Sequence, residues 1–172
     1  MHSNKASPIA SPVYVGDTVS ILVFPFFSLR RALAIGDNLK WLKTATLVPV
    51  PPSKAKDDPL YDDRMRRVPQ VLGRDLDLDI RELVLQRTSM GPSHESEARP
   101  TPEQVAENYY IDEERTDPEP RQIGIFDDLL TAGCHFRAMK TVLLERFPEA
   151  AIVGVFLARR VPETTTDFDE LF

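Results

Sequence analysis

The sequence predicts an α/β domain built on a parallel sheet flanked by helices. Three observations predict it. First, Gln122–Phe126 is an apolar strand that leads through a short loop into a helix with Phe136, Met139, Val142, Leu143 and Phe147 on one face. Ala151–Leu157 is a second apolar strand directly after it. A strand–helix–strand crossover joins parallel strands. Second, Thr46–Val50 is another short β-prone run, stopped by Pro51-Pro52 and followed by a helical stretch. Third, 172 residues with 42% hydrophobic and 28% charged side chains suit one domain with its own core.

The elements follow in order. Residues 1–12 are small, polar and Pro-containing and are expected to be disordered. Val13–Phe24 reads as two short strands around Gly16-Asp17. Ser28 is placed to cap a helix reaching about Leu42, with Leu29, Leu33, Leu39 and Leu42 near one face, although Gly36 and Asp37 interrupt it. Pro59 to about Leu72 is expected to be helical, with Asp58 as N-cap, Pro59 in the first position and Pro69 kinking or ending it. Asp75-Leu-Asp77-Leu-Asp79 reads as a turn leading into a strand, and Leu83–Gln86 as the next strand. Arg87–Asn108 is long, polar and broken by Pro92, Pro100 and Pro102; connections of this length are functional or mobile. Asn108–Ile111 reads as an edge strand, Asp112–Arg121 as a charged turn, and Asp127–His135 as the loop between the first apolar strand and its helix. The domain is expected to cover residues 13–162, and residues 163–172 to form an acidic tail with Phe168 and Phe172.

Composition narrows the function. A net charge of −6 disfavours non-specific nucleic-acid binding, which needs a basic surface. The longest apolar run, Val19–Phe27, contains Ser20 and Pro25 and is far short of a bilayer span, and residues 1–12 lack a signal-peptide apolar core. A soluble, cytoplasmic chain without a membrane partner is the expectation. The single Cys134 leaves no disulfide, and no Cys/His cluster has structural-zinc spacing.

The informative segment is Ile123-Gly-Ile-Phe-Asp127-Asp128-Leu-Leu-Thr131-Ala-Gly133-Cys-His135. Two carboxylates end an apolar strand, and a short loop leads into a helix. Ligands of parallel sheets sit at the carboxyl ends of strands. A helix N-terminus, with its free N–H groups and positive dipole end, suits a phosphate. Gly133 allows close backbone approach. Two carboxylates repel a bare phosphate, but they accept hydrogen bonds from a sugar diol; a sugar phosphate satisfies both halves. The alternative is a solvated Asp pair that only caps the helix.

An apolar strand, Asp-Asp, two apolar residues and Thr-x-Gly resemble the phosphoribosyl-diphosphate (PRPP) signature of type I phosphoribosyltransferases. Leu47-Val-Pro-Val-Pro-Pro-Ser53-Lys54 resembles the pyrophosphate loop of the ComF-type branch, without that branch's cysteine-rich zinc region. The likeness spans roughly Thr46 to Arg160. It implies a Rossmann-like parallel sheet with a small hood. It implies that Asp127 and Asp128 hold the ribose hydroxyls and stand nearest the metal. Thr131, Ala132, Gly133, Cys134 and His135 would wrap the 5′-phosphate, and Pro52, Ser53 and Lys54 would lie at the pyrophosphate. Arg87–Asn108 would match the catalytic loop that closes over the ligand. Ala132 and His135 stand where many members carry hydroxyl residues, and Pro51 and Pro52 lack backbone N–H groups.

Further candidates stand beside their plainer readings. Arg87 ends a strand and either faces the crevice or is a surface arginine, and Arg99 in the long loop is a phosphate-binding candidate. His94 fits a solvated loop. Lys54 and Arg64 are weak pyrophosphate candidates, while Lys56, Arg66 and Arg67 alternate with acids as a solvated face does. Cys134 at a helix start is open to a lowered thiol pKa, against the plainer reading of a packing cysteine. Ala158-Arg-Arg160 is placed to contribute to an acceptor pocket.

The expected function is a phosphoribosyltransferase that uses PRPP and Mg²⁺ to transfer phosphoribose to a nitrogenous base and releases pyrophosphate. Mg²⁺ would be held largely by the ligand's oxygens and by water. The alternatives are a non-catalytic module that senses PRPP or a nucleotide on the same fold, and an interaction protein with no nucleotide site. A homodimer or a protein partner is left open.

Overall fold

The computed structural model describes residues 11–14, 20–23, 37–74, 76–91 and 100–159. Its strands are β1 (Ser11–Tyr14), β2 (Ser20–Val23), β3 (Thr46–Pro49), β4 (Asp79–Ile80), β5 (Val84–Gln86), β6 (Tyr109–Ile111), β7 (Gln122–Leu130) and β8 (Ala151–Arg159). Its helices are α1 (Asp37–Thr44), α2 (Arg64–Leu72), α3 (Pro102–Glu107) and α4 (Cys134–Arg146), with a 3₁₀ turn at Glu113–Arg115. Six strands form one sheet in the order β1-β2-β8-β7-β3-β4. Every neighbouring pair in it is parallel except β1–β2. This is the parallel α/β sheet that the crossover predicted, Rossmann-like in arrangement, with helices on both faces.

The central strands are buried on both sides, so they read as nearly continuous apolar runs. On one face, Val48, Ile123, Ile125, Ile152 and Phe156 pack under α4 through Phe136, Met139, Leu143 and Phe147. On the other, Leu47, Phe126, Val155 and Leu157 pack with Leu42 of α1 and Met65 of α2. Phe136 meets Phe156 edge-on at 6.0 Å, in the space left by Gly154, where a Cβ would come within 3.0 Å of the Phe136 ring.

The connections fix where a ligand can sit. From β3 the chain passes through α2 to β4 on one side. From β7 it passes through α4 to β8 on the other. The adjacent strands β3 and β7 therefore feed helices in opposite directions, and such a reversal opens a crevice at the carboxyl ends of the strands.

Several expectations are corrected. Strand β1 begins at Ser11, inside the stretch expected to be disordered. The helix expected from Pro59 starts at Arg64, because Asp58 closes a turn instead: its carboxylate accepts from the Leu60 N–H and its carbonyl from the Tyr61 N–H. Pro69 does not end that helix, which runs on to Leu72 and stops at Gly73. Leu83–Gln86 does supply the expected strand, β5, but in a separate ribbon paired antiparallel with β6, and the strand beside β3 is the two-residue β4. The stretch Arg87–Asn108 is not free of secondary structure, because α3 occupies Pro102–Glu107 behind a Thr101–Gln104 capping box. The expected helix start at Ser28, the loop residues His94 and Arg99, Arg160 and the acidic tail lie outside the described residues.

Candidate functional site

At the β3–β7 seam, Pro49 stands opposite Phe126, and the Val50 N–H donates to the Phe126 carbonyl at 2.9 Å. There β3 leaves the sheet, while β7 continues to Leu130 with only β8 as neighbour. The acidic pair therefore lies within a strand, not in the expected Asp127–His135 loop, because β8 runs on to Arg159 and supplies a partner ladder. Consecutive strand residues point to opposite faces. Asp127 is half-buried, and Asp128 is exposed. Burial, and then the Asp128 charge, push the Asp127 carboxyl up to about 7, against the lowering effect of the Asp128 N–H that it accepts at 2.9 Å.

Beyond Leu130, Thr131 and Ala132 are exposed and Gly133 turns the chain into α4. Gly133 has φ 72° and ψ 21°, in the left-handed region that glycine adopts without cost. It is also the N-cap, so no side chain occupies the first-turn amides of a 13-residue helix. The amides of Cys134 and His135 thus lie at the positive end of the helix.

Cys134 behaves as a packing residue. Its thiol lies 3.4 Å from the Pro100 carbonyl, and burial pushes it up, in line with the plainer reading of a packing cysteine and against a lowered thiol pKa. His135 is exposed overall, but its Nδ1 lies 2.9 Å from the hydroxyl of Tyr109, which is 3% exposed. Sequence reasoning missed Tyr109. Its one signal was alternation in the edge strand Tyr109-Tyr110-Ile111, which turns the first tyrosine inward.

The segment after β3 is tied to the end of β5. The Gln86 side-chain amide donates to the Pro52 carbonyl, the Met90 N–H to the Ser53 carbonyl at 2.7 Å, and the Ala55 N–H to the Ser89 hydroxyl at 3.0 Å. Ser53 is exposed, and Lys54 Nζ is 4.0 Å from Asp58. Pro52, Ser53 and Lys54 thus sit just past the point where β3 leaves the seam.

The structure does not bring Arg87 to the acidic pair. Its guanidinium lies over the Tyr110 ring at 5.4 Å, on the ribbon face opposite Gln86 and Tyr109. Arg64 and Arg67 pair with the exposed Asp62 and Asp63. Lys56, Arg66 and the Tyr61 hydroxyl converge on Glu82, which is 7% exposed. Sequence reasoning also missed Glu82; nothing local marks it, because its partners lie 16 to 26 residues away. Among the described residues no three His, Cys, Asp or Glu side chains converge as a metal site, and no helix is long and apolar enough to cross a membrane. No family model matches the chain, and no curated protein or solved structure matches it.

Proposed function

We propose that the chain binds a phosphoribosyl ligand at the β3–β7 seam and acts as a phosphoribosyltransferase. One observation carries the reading: Asp127 and Asp128 overhang the strand reversal and are followed within five residues by a glycine turn into a helix start that no side chain caps. In this reading the acidic pair accepts from the ribose diol, and residues 131–135 surround the 5′-phosphate with main-chain N–H groups. Pro52, Ser53 and Lys54 face the diphosphate of PRPP. Mg²⁺ takes most of its ligands from the diphosphate and water, next to Asp127 and Asp128. The bond from the anomeric carbon to the diphosphate oxygen breaks, the oxygen keeps the electron pair, and the base nitrogen forms the new bond. The protein's contribution is positioning and exclusion of water.

One feature favours a second reading, a module that binds such a ligand without turnover. Pro51 and Pro52 carry no N–H, and the Ala55 N–H is committed to Ser89, so Ser53 and Lys54 are the main-chain donors left to that segment. Calorimetry with ribose-5-phosphate and with PRPP–Mg²⁺, followed by pyrophosphate release with a panel of bases, separates the readings. Binding with release supports the transferase. Binding without release from any base supports the sensor. No binding rejects both. Ribose-5-phosphate is expected to bind more tightly than 2-deoxyribose-5-phosphate, and Asp128→Asn to weaken binding by about ten- to a hundredfold, as for hydrogen bonds to a charged group.

A further inference from the structure

The pair Tyr109–His135 does not follow from the phosphoribosyl reading, yet it lies beside the acidic pair and at the first turn of α4. Tyr109 is 3% exposed, so its hydroxyl proton must find an acceptor inside the protein. His135 Nδ1 is 2.9 Å from the hydroxyl oxygen. Burial, and then the nearby Asp127 and Cys134, push the phenol up, so it stays protonated and donates. An Nδ1 that accepts a hydrogen bond carries no proton, and a neutral imidazole then holds its one proton on Nε2. Desolvation of the ring holds His135 below the usual histidine range and so keeps it neutral near pH 7. The opposite tautomer would have Nδ1–H donate to the tyrosine oxygen and would strand the phenolic proton in the interior.

We propose that Tyr109 is a positioning residue that holds His135 in its Nε2–H form, so that His135 offers a neutral N–H donor to the phosphate monoester of a ligand seated at the start of α4. The proposal rests on the phosphoribosyl reading of the site. It deepens that reading by assigning a side-chain donor to a loop whose other members, Thr131 aside, offer only backbone groups or a thiol already turned to Pro100. Such a donor serves a dianionic phosphate at neutral pH without needing the imidazolium. Tyr109 touches no ligand; it acts through His135.

Two measurements on the full chain test it. In ¹⁵N-histidine correlation spectra near pH 7.5, with the His135 signals assigned by their loss in His135→Gln, wild-type His135 is expected to have a bare Nδ1 and a protonated Nε2. In Tyr109→Phe, which keeps the ring, that preference is expected to weaken toward a tautomer mixture. In calorimetry with ribose-5-phosphate, Tyr109→Phe is expected to weaken binding about three- to tenfold, the range set by one neutral hydrogen bond. His135→Ala should weaken it at least as much, and the double variant no further than His135→Ala alone. A tyrosine that serves packing alone gives additive losses instead. A protonated Nδ1 in the wild type overturns the proposal and needs no variant to be seen. Unchanged affinity in Tyr109→Phe, or additive losses, overturns it while the phosphoribosyl reading stands. Failure of the wild type to bind ribose-5-phosphate at all rejects that reading, and the donor role with it.

Discussion

The side-chain amide of Gln86 donates to the carbonyl of Pro52, joining the end of β5 to the segment that follows β3. Gln86 is 5% exposed, and its own carbonyl oxygen accepts from Asn108 at 2.8 Å. Asn108 in turn binds the Thr88 main chain through both ends of its amide. Gln86→Leu keeps the volume and removes both bonds; Asn108 keeps its bonds to Thr88, while the half-buried Pro52 carbonyl loses this donor. Leaving a polar group unsatisfied costs about 1–3 kcal/mol, so the variant is expected to lose about 1–2 kcal/mol in urea denaturation. A loss under 0.5 kcal/mol would show that water replaces the amide.

Asp127 gives a stability slope that runs with pH. Its folded-state pKa, about 7, lies above its ordinary value of 3.8, so the folded state holds the proton more tightly than the unfolded state does. The neutral form favours folding below pH 3.8. That advantage is lost as pH rises from 3.8 to 7, after which the penalty is constant. At 1.36 kcal/mol per unit the shift sets an upper bound of about 4 kcal/mol. Asp127→Asn keeps the acceptor for the Asp128 N–H and removes the charge. It is expected to exceed wild type in stability at pH 8 and to match it near pH 4, in chemical denaturation at the two pH values. Equal stability at both would mean that Asp127 is well solvated.

Glu82 should show the opposite slope. Burial pushes its carboxyl up, but hydrogen bonds from Tyr61 and Lys56, with the charges of Lys56 and Arg66, outweigh burial and leave it below the ordinary 4.5. A depressed pKa adds stability that is present above 4.5 and lost as pH falls through the folded value. Glu82→Gln is expected to cost about 1–3 kcal/mol at pH 7, as for a hydrogen bond to a charged group. The difference from wild type should close in acid, as followed by urea midpoints between pH 7 and pH 3.

Gly133 tests the turn into α4. A Cβ there would meet only Leu130 Cδ1, at 3.7 Å, so space is not the obstacle; φ is. A left-handed conformation costs an ordinary L-residue roughly 1–2 kcal/mol, and asparagine less. Gly133→Ala is expected to lower stability by that amount and Gly133→Asn by less, as read from thermal midpoints. Equal effects of the two would place the cost in packing instead.

The crossover from β7 through α4 to β8 was legible because apolar period and loop length report local geometry. Phe136, Met139, Leu143 and Phe147 are buried as their spacing required. The end of β7 was not legible. Asp127 and Asp128 look like loop residues in isolation and become strand only because β8 runs beside them, a long-range effect that propensity does not hold. Helix α3 was legible and overlooked: Thr101-Pro102-Glu103-Gln104 is a capping box with proline in the first turn, hidden among prolines read as loop signals. Asp58-Pro59 misled in the other direction, because Asp58 spends its carboxylate on a tight turn and on Ser89 at 2.6 Å. Of the candidate site, the acidic pair, residues 131–135 and residues 52–54 gather at one end of the sheet. Arg87 does not join them, since register in the β5–β6 ribbon decides its face and no local feature encodes register.

The reversal between β3 and β7 has a consequence for cooperativity. The two sides of the crevice come from residues 50–54 and 127–135, more than seventy positions apart, and neither half of the chain carries a crevice alone. Any molecule that bridges those sides is a reversible cross-link between early and late sequence. It favours only the state in which the seam is closed, so its concentration becomes a thermodynamic variable of folding, with a gain of RT ln(1 + [L]/Kd).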